Sequence, residues 1–183
     1  MIPASLRWSG DVPGHLEILD QTLLPGRLEW VTCVDVGTVV EAIRSLRVRG
    51  APAIGIAGAY GLAVAAGEAL RDGLPPETAR DHVRGRGAEL ATARPTAVNL
   101  RWAVERCLGT LAKLPPSADA AALCAALLAE ARAIHDEDRR LCTAIGRHGA
   151  ALLPDGGVLT HCNTGALATG GDGTALAVIT TAW

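Results

Sequence analysis

A thiol flanked by an imidazole and an amide, His161-Cys162-Asn163, runs into Thr164-Gly165 and then into Gly170, Gly171 and Gly173. Cysteine acts as a nucleophile or proton carrier when loop amides or a helix amino-terminus stabilise its thiolate. Free in water, with a pKa of about 8.5, only a few per cent is ionised at neutral pH. Two arginines stand in a different setting. Arg49-Gly50-Ala51-Pro52 and Arg94-Pro95-Thr96 each place a guanidinium just ahead of a proline-marked helix start. A guanidinium beside unpaired helix amides is a cradle for phosphate. By residue type alone, Cys162 reads either as a site residue or as a buried structural thiol, and Arg49 either as an anion ligand or as a solvated loop residue. The glycine-rich loop fails both familiar nucleotide patterns. Gly171-Asp172 stands where a P-loop needs Lys-Ser/Thr, and Leu176 stands where the dinucleotide fingerprint needs its third glycine.

The elements that must position these groups follow from periodicity. Val158-Leu159-Thr160, after the Gly156-Gly157 turn, predicts a short buried strand with Cys162 at its carboxyl end, and 174–182 predicts a helix. Strand, loop and helix make half of a parallel α/β unit, where ligands bind beyond the strand ends. Leu16-Glu-Ile-Leu and Leu28-Glu-Trp-Val, joined through Pro25-Gly26, predict a small antiparallel hairpin or three-stranded sheet within residues 6–33. There Trp8 and Trp30 either pack on each other or cover a neighbouring site. Val36, Val39, Val40, Ile43 and Leu46 recur at helical spacing, capped by Asp35 or by a Thr38-x-x-Glu41 box, in a helix ending near Val48.

Gly55, Gly58 and Gly61 lie in the helix that Pro52 opens. Each glycine costs a helix about 1 kcal/mol relative to Ala, so their presence points to close backbone packing. A third helix, about 77–91, carries Arg80, Asp81, Arg84, Arg86 and Glu89 as a solvated face, with no site assigned to His82. A fourth buries Leu100, Ala103, Val104, Cys107, Leu108, Leu111 and Leu114, with Asn99 near its start either aiding the site or capping. Residues 118–152 read as helix, capped by Ser117, with Leu123, Leu127, Ala131, Ile134, Leu141, Ile145 and Leu152 in phase and Gly146 and Gly149 loosening its end. His135-Asp136-Glu137-Asp138 reads as a solvated or inter-helix polar face; the one-face pairing a metal needs is missing, so no metal is assigned.

Composition sets outer bounds. The 183 residues are 49% hydrophobic without any Phe, so the core is built of small residues, Leu and Val. This is one domain, or one and a fraction. The net charge of −2 offers no basic field for nucleic acid. No membrane span and no secretory leader are read. Five scattered cysteines without a CxxC point to reduced thiols in a cytoplasm.

Leu159-Thr-His-Cys-Asn-Thr-Gly-Ala-Leu-Ala-Thr169 resembles the active-site loop of the methylthioribose-1-phosphate isomerase family. Val48-Arg-Gly-Ala-Pro-Ala-Ile-Gly55 and Ala93-Arg-Pro-Thr-Ala-Val-Asn-Leu-Arg-Trp102 resemble that family's two phosphate-binding motifs, in the same order. The likeness runs from about Leu6 to about Ile179. It implies an α/β fold: a small amino-terminal antiparallel sheet plus a helical bundle (residues 1–153), then the first strand–loop–helix of a Rossmann-like parallel-sheet domain (154–183). It implies an aldose–ketose isomerase of methionine salvage acting on 5-methylthioribose 1-phosphate, cytoplasmic, cofactor-free and homodimeric in its complete form. Cys162 would be the catalytic residue, with Arg49, Gly50, Ala51, Arg94, Asn163, Thr164 and Gly165 binding substrate and phosphate. The wider superfamily keeps two other readings open: a non-catalytic regulatory or sugar-phosphate-binding relative, and a ribose-1,5-bisphosphate isomerase. Family members continue for about as many residues again, with a catalytic aspartate, an Asn-Lys pair and a Gln that have no counterpart here. The Val178-Ile-Thr-Thr-Ala-Trp183 end also departs from the family pattern, so an incomplete chain is expected.

Overall fold

The computed structural model describes residues 3–183. Strands β1 (Leu6–Ser9), β2 (His15–Leu19) and β3 (Trp30–Cys33) form an antiparallel sheet in the order β1-β2-β3. Leu6 faces Ile18 and Leu16 faces Cys33, and all four are buried. Glu17, on the opposite face of β2, takes a 2.5 Å bond from Arg7 across the ladder. The period-2 reading of this segment is correct, although β3 starts at Trp30 and leaves Leu28 outside. The two tryptophans part company. Trp8 stacks on Tyr60 at 5.6 Å, and Trp30 lies under the Arg7 guanidinium at 4.2 Å.

Helix α1 (Val36–Arg44) is capped by Asp35, whose carboxylate takes the Thr38 amide at 2.8 Å, so Asp35 rather than Thr38 is the cap. The helix stops at Arg44, and Leu46 adopts φ 65° beyond it. Helix α2 (Ala51–Arg71) is the centre of the molecule: every residue from Ala53 to Ala69 is buried. A helix apolar all round must be covered all round. Its covering elements are the sheet, α1, α3 (Pro76–Thr92), α4 (Val98–Lys113) and α5 (Ala120–Ala150). The glycine spacing has the predicted purpose. A Cβ on Gly55 would stand 2.9 Å from the Asn99 carbonyl oxygen, and one on Gly58 2.4 Å from Leu100 Cδ1. The buried Glu68 of α2 ties three elements together, accepting the Val36 amide at 2.8 Å, His82 Nε2 at 2.8 Å and Arg86 Nε at 3.2 Å.

Several expectations are overturned. Arg80 belongs to no solvated face: it is buried and donates to the carbonyls of Leu111 and Leu114 at 2.9 and 3.0 Å, and to that of Pro115. It thereby satisfies the end of α4, where a cation is favoured. Asp119, not Ser117, caps α5. In the last third of α5 the buried face is displaced from the predicted stripe. Leu141, Ile145 and Leu152 are exposed, while Cys142 and Gly146 are buried. The cause is helix α6 (Ala175–Ala182), which lies across Gly146 and Gly149; Cβ atoms there would meet the Ala177 carbonyl and Val178. These glycines pack α6 closely rather than loosening α5. His135 takes the inter-helix alternative: it is buried, with its Nδ1 3.2 Å from the Tyr60 hydroxyl of α2. Finally, 158–160 is exposed coil, with Leu159 98% exposed. A strand needs a neighbouring ladder, and among the described residues none lies beside it.

Candidate functional site

Arg49 and Arg94 line one cavity. About 340 Å³ in volume, it is lined by Leu46, Arg49, Gly50, Ala51, Ile54, Arg94, Thr96 and Ala97. Two loops over forty residues apart in sequence therefore meet at the amino end of α2. The local sequence explains the shape. Gly50 takes φ 87°, a conformation available to glycine, and turns the chain into the helix. No side chain caps this end, and the first helical bond runs from the Ile54 amide to the Gly50 carbonyl at 3.0 Å. The Ala51 and Ala53 amides thus have no partner within the helix, and Pro52 has no N–H to satisfy. No carboxylate lines the cavity, and no ion pair among the described residues engages Arg49 or Arg94. Two guanidiniums, unpaired amides and the positive end of a 21-residue helix make an arrangement that can attract a compact anion.

The cysteine-bearing loop touches this cavity through Gly50. A Cβ on Gly50 would lie 2.5 Å from Ala168, in the 3-10 turn Ala166–Ala168. Further bonds hold the loop: Ser5 Oγ to the Thr169 carbonyl at 2.8 Å, and Gln21 Nε2 to the Leu167 carbonyl at 2.7 Å. Thr164 and Gly165 form the loop's base. The Thr164 carbonyl accepts the Thr174 and Leu176 amides at 2.8 and 3.3 Å, and Gly165 bridges Gly173. Both residues hold the loop to the start of α6, and Gly165 is buried.

Cys162 and Asn163 stand apart from the cavity lining and are exposed, with Cys162 at φ 70°. A non-glycine residue at positive φ is uncommon and costs of order 1–3 kcal/mol. The other four thiols are buried. Burial, reinforced by Asp35 and Glu41, pushes Cys33 up to about 12, and burial beside Glu130 does the same to Cys107. Burial also raises Cys124 and Cys142. Cys162 is therefore the exposed thiol.

Some site neighbours had no sequence signal. Leu46 lines the cavity because the chain turns left-handed there, and Ser5 and Gln21 reach the loop from the sheet region. Asn99 lines a separate, mainly apolar cavity of about 200 Å³ with Pro52, Ile56 and Trp102. Among the described residues no three His, Cys, Asp or Glu side chains gather as a metal site would need.

Residues 47–183 match the initiation factor 2 subunit family. Methylthioribose-1-phosphate isomerases of Gemmatimonas aurantiaca and Pelotomaculum thermopropionicum are 51% and 48% identical to this chain over 96% of its length, and 49% and 47% of theirs. The chain thus spans about half the length of the curated relatives it matches. Two solved structures share its fold with a TM-score of 0.87. One is the translation initiation factor eIF-2B, subunit delta, from A. fulgidus, 40% identical over 99% of this chain and 51% of that one. The other is the 5-methylthioribose 1-phosphate isomerase from Pyrococcus horikoshii OT3, 34% identical over 97% and 48%.

Proposed function

The chain belongs to the initiation factor 2 subunit family, and from that premise we propose that it carries the phosphate-anchoring and cysteine-bearing part of an aldose–ketose isomerase. The reaction is conversion of 5-methylthioribose 1-phosphate to 5-methylthioribulose 1-phosphate in methionine salvage, in line with the names of its relatives. The observation that carries the reading is the convergence of Arg49, Gly50, Ala51 and Arg94 on one carboxylate-free cavity at the start of α2.

In this substrate the anomeric oxygen is esterified, so the ring does not open spontaneously to an aldehyde. The protein must hold the phosphate, assist ring opening and move hydrogen between C1 and C2. Arg49, Arg94 and the α2 amides supply the anchor. Cys162 moves a proton at the sugar carbons or stabilises the charge that develops there, with Asn163 and Thr164 on the sugar oxygens. The contact between Gly50 and Ala168 sets the spacing between anchor and thiol loop. The same reading carries a cytoplasmic location and a homodimer; five unpaired thiols suit a reducing compartment.

The test is binding and turnover of 5-methylthioribose 1-phosphate by the purified chain. Binding should weaken about tenfold in Arg49→Gln and in Arg94→Gln, the loss of a charge-assisted hydrogen bond. Ketose formation should vanish in Cys162→Ala while binding stays. Binding indifferent to both arginines overturns the proposal. A second reading, a non-catalytic sugar-phosphate-binding relative, draws on the equal likeness to the initiation-factor subunit and on the exposure of Cys162. It requires arginine-dependent binding with no turnover even when the remaining half of the relatives' length is supplied in trans.

A further inference from the structure

His135 is a buried imidazole that the anion cavity does not use, 5% exposed on α5. Its Nδ1 lies 3.2 Å from the Tyr60 hydroxyl of α2, and its Nε2 lies 3.1 Å from the carbonyl oxygen of Gly170 in the cysteine-bearing loop. A carbonyl oxygen only accepts, so Nε2 carries the proton. In the neutral ring Nδ1 is then an acceptor, and the Tyr60 hydroxyl donates to it. Trp8 of β1 stacks on Tyr60 and fixes that hydroxyl's ring. Gly170 is gripped from both sides. Its amide donates to Asp138 at 2.6 Å, and Arg139 Nε also reaches its carbonyl at 3.2 Å. A Cβ on Gly170 would stand 2.5 Å from the imidazole Cδ2, so only glycine admits the ring here.

We infer that His135 is a positioning residue: a neutral imidazole, oriented by Tyr60, that pins the Gly165–Gly173 loop through the Gly170 carbonyl and so sets where Cys162 and the Gly50 edge of the cavity stand. Ala168 of the loop abuts Gly50 at the cavity's edge and Gly170 is bonded to α5, so a displacement at Gly170 reaches Ala168 two residues away. Among the charged groups around the ring, Arg139 favours the neutral form, and Asp136 and Asp138 the charged one. Arg139 and Asp136 line the small polar cavity beside it, together with Arg7 of β1 and Arg132 of α5; Asp138 stands on the loop side. Burial, then Arg139, hold the imidazole below its usual range.

The consequence for turnover rests on the isomerase reading; the loop assignment does not. Amide hydrogen exchange in the native chain, compared among His135→Leu, His135→Gln and Tyr60→Phe, tests the assignment. His135→Leu should speed exchange of the Gly170 and Gly171 amides about tenfold, while the buried amides of α2 stay unchanged. His135→Gln, whose amide can still donate to Gly170, should restore most of the protection. Tyr60→Phe, which keeps the ring but loses the orienting hydroxyl, should fall between. Unchanged loop exchange in His135→Leu overturns the inference. So does an equal loss in Leu and Gln, which would assign the protection to packing. If His135→Leu fails to fold, the ranking of Tyr60→Phe against His135→Gln and the parent decides, and no difference among those three overturns it. With 5-methylthioribose 1-phosphate, kcat should fall in His135→Leu with KM held, and the Gln variant should recover it. A parent chain that does not bind the sugar phosphate sinks the isomerase reading and leaves the exchange result standing.

Discussion

The two halves of the proposed site differ in how they are supported. The arginine cavity is made at the starts of two helices, α2 buried along most of its length and α4 buried along one face, so its backbone is set by the same packing that makes the protein fold. The cysteine sits on a segment exposed from Ala151 to Asn163 except for the half-buried Leu153, and becomes anchored only at Thr164. An anion cradle can be built from local helix geometry plus one crossing. A reactive thiol needs walls around it, and those come from elements distant in the chain.

The largest effect that would break this contrast concerns the thiols. Native protein treated with a small alkylating reagent near pH 8 should be modified at Cys162, with Cys33 and Cys107 protected until unfolding. At a pKa of about 12 these two are roughly a thousandfold less ionised than a free thiol, before any steric shielding. Intact mass with peptide mapping reads this directly, and rapid labelling of Cys107 would mean that the core is not closed.

Next in size is a pair of glycine substitutions, one in each region. Gly58→Val drives its side chain into Leu100 and should cost about 1–3 kcal/mol, a drop of several degrees in Tm. Gly157→Ala, with nothing within 4 Å of the new Cβ, should stay within about 0.5 kcal/mol. Equal effects would erase the distinction between packed core and open segment.

A smaller difference separates the cavity arginines from the other site residues. With inorganic phosphate as the probe, Arg94→Gln should weaken binding about tenfold, and Asn163→Ala should leave it unchanged, because the exposed Asn163 stands outside the cavity. Calorimetric titration distinguishes them.

The smallest effect is in pH dependence, at the sheet's edge. Burial opposes ionisation of Asp20, but bonds from Thr22 and the Arg47 guanidinium outweigh it and hold the carboxyl below its ordinary 3.8. The folded pKa is lower than the unfolded one, so the stabilisation is complete above about 4 and is lost as pH falls through the folded value. Asp20→Asn should flatten that acid limb of the stability curve and leave the neutral plateau lower. An unchanged acid limb in chemical denaturation would remove Asp20 from the account.

Sequence by itself determined the parts of this protein whose cause is local or periodic. The Leu16/Ile18 alternation required a one-sided sheet, the stripe from Leu100 to Leu111 required a buried helix face, and Gly50-Ala51-Pro52 required a turn into a helix with free amides. Gly55, Gly58 and Gly61 announced a close crossing, although not its partner. Tertiary structure decided the rest. Arg80, read as solvated, and His135, read as solvated or inter-helix, find their partners only when the carbonyls of Leu111 and Gly170 are brought to them by chain segments 31 and 35 residues away. The stripe on α5 moved because α6 claims the face of Cys142 and Gly146. Val158 to Thr160 has strand-forming side chains yet stays in coil, because a parallel strand takes its hydrogen bonds from neighbouring strands rather than from its own residues.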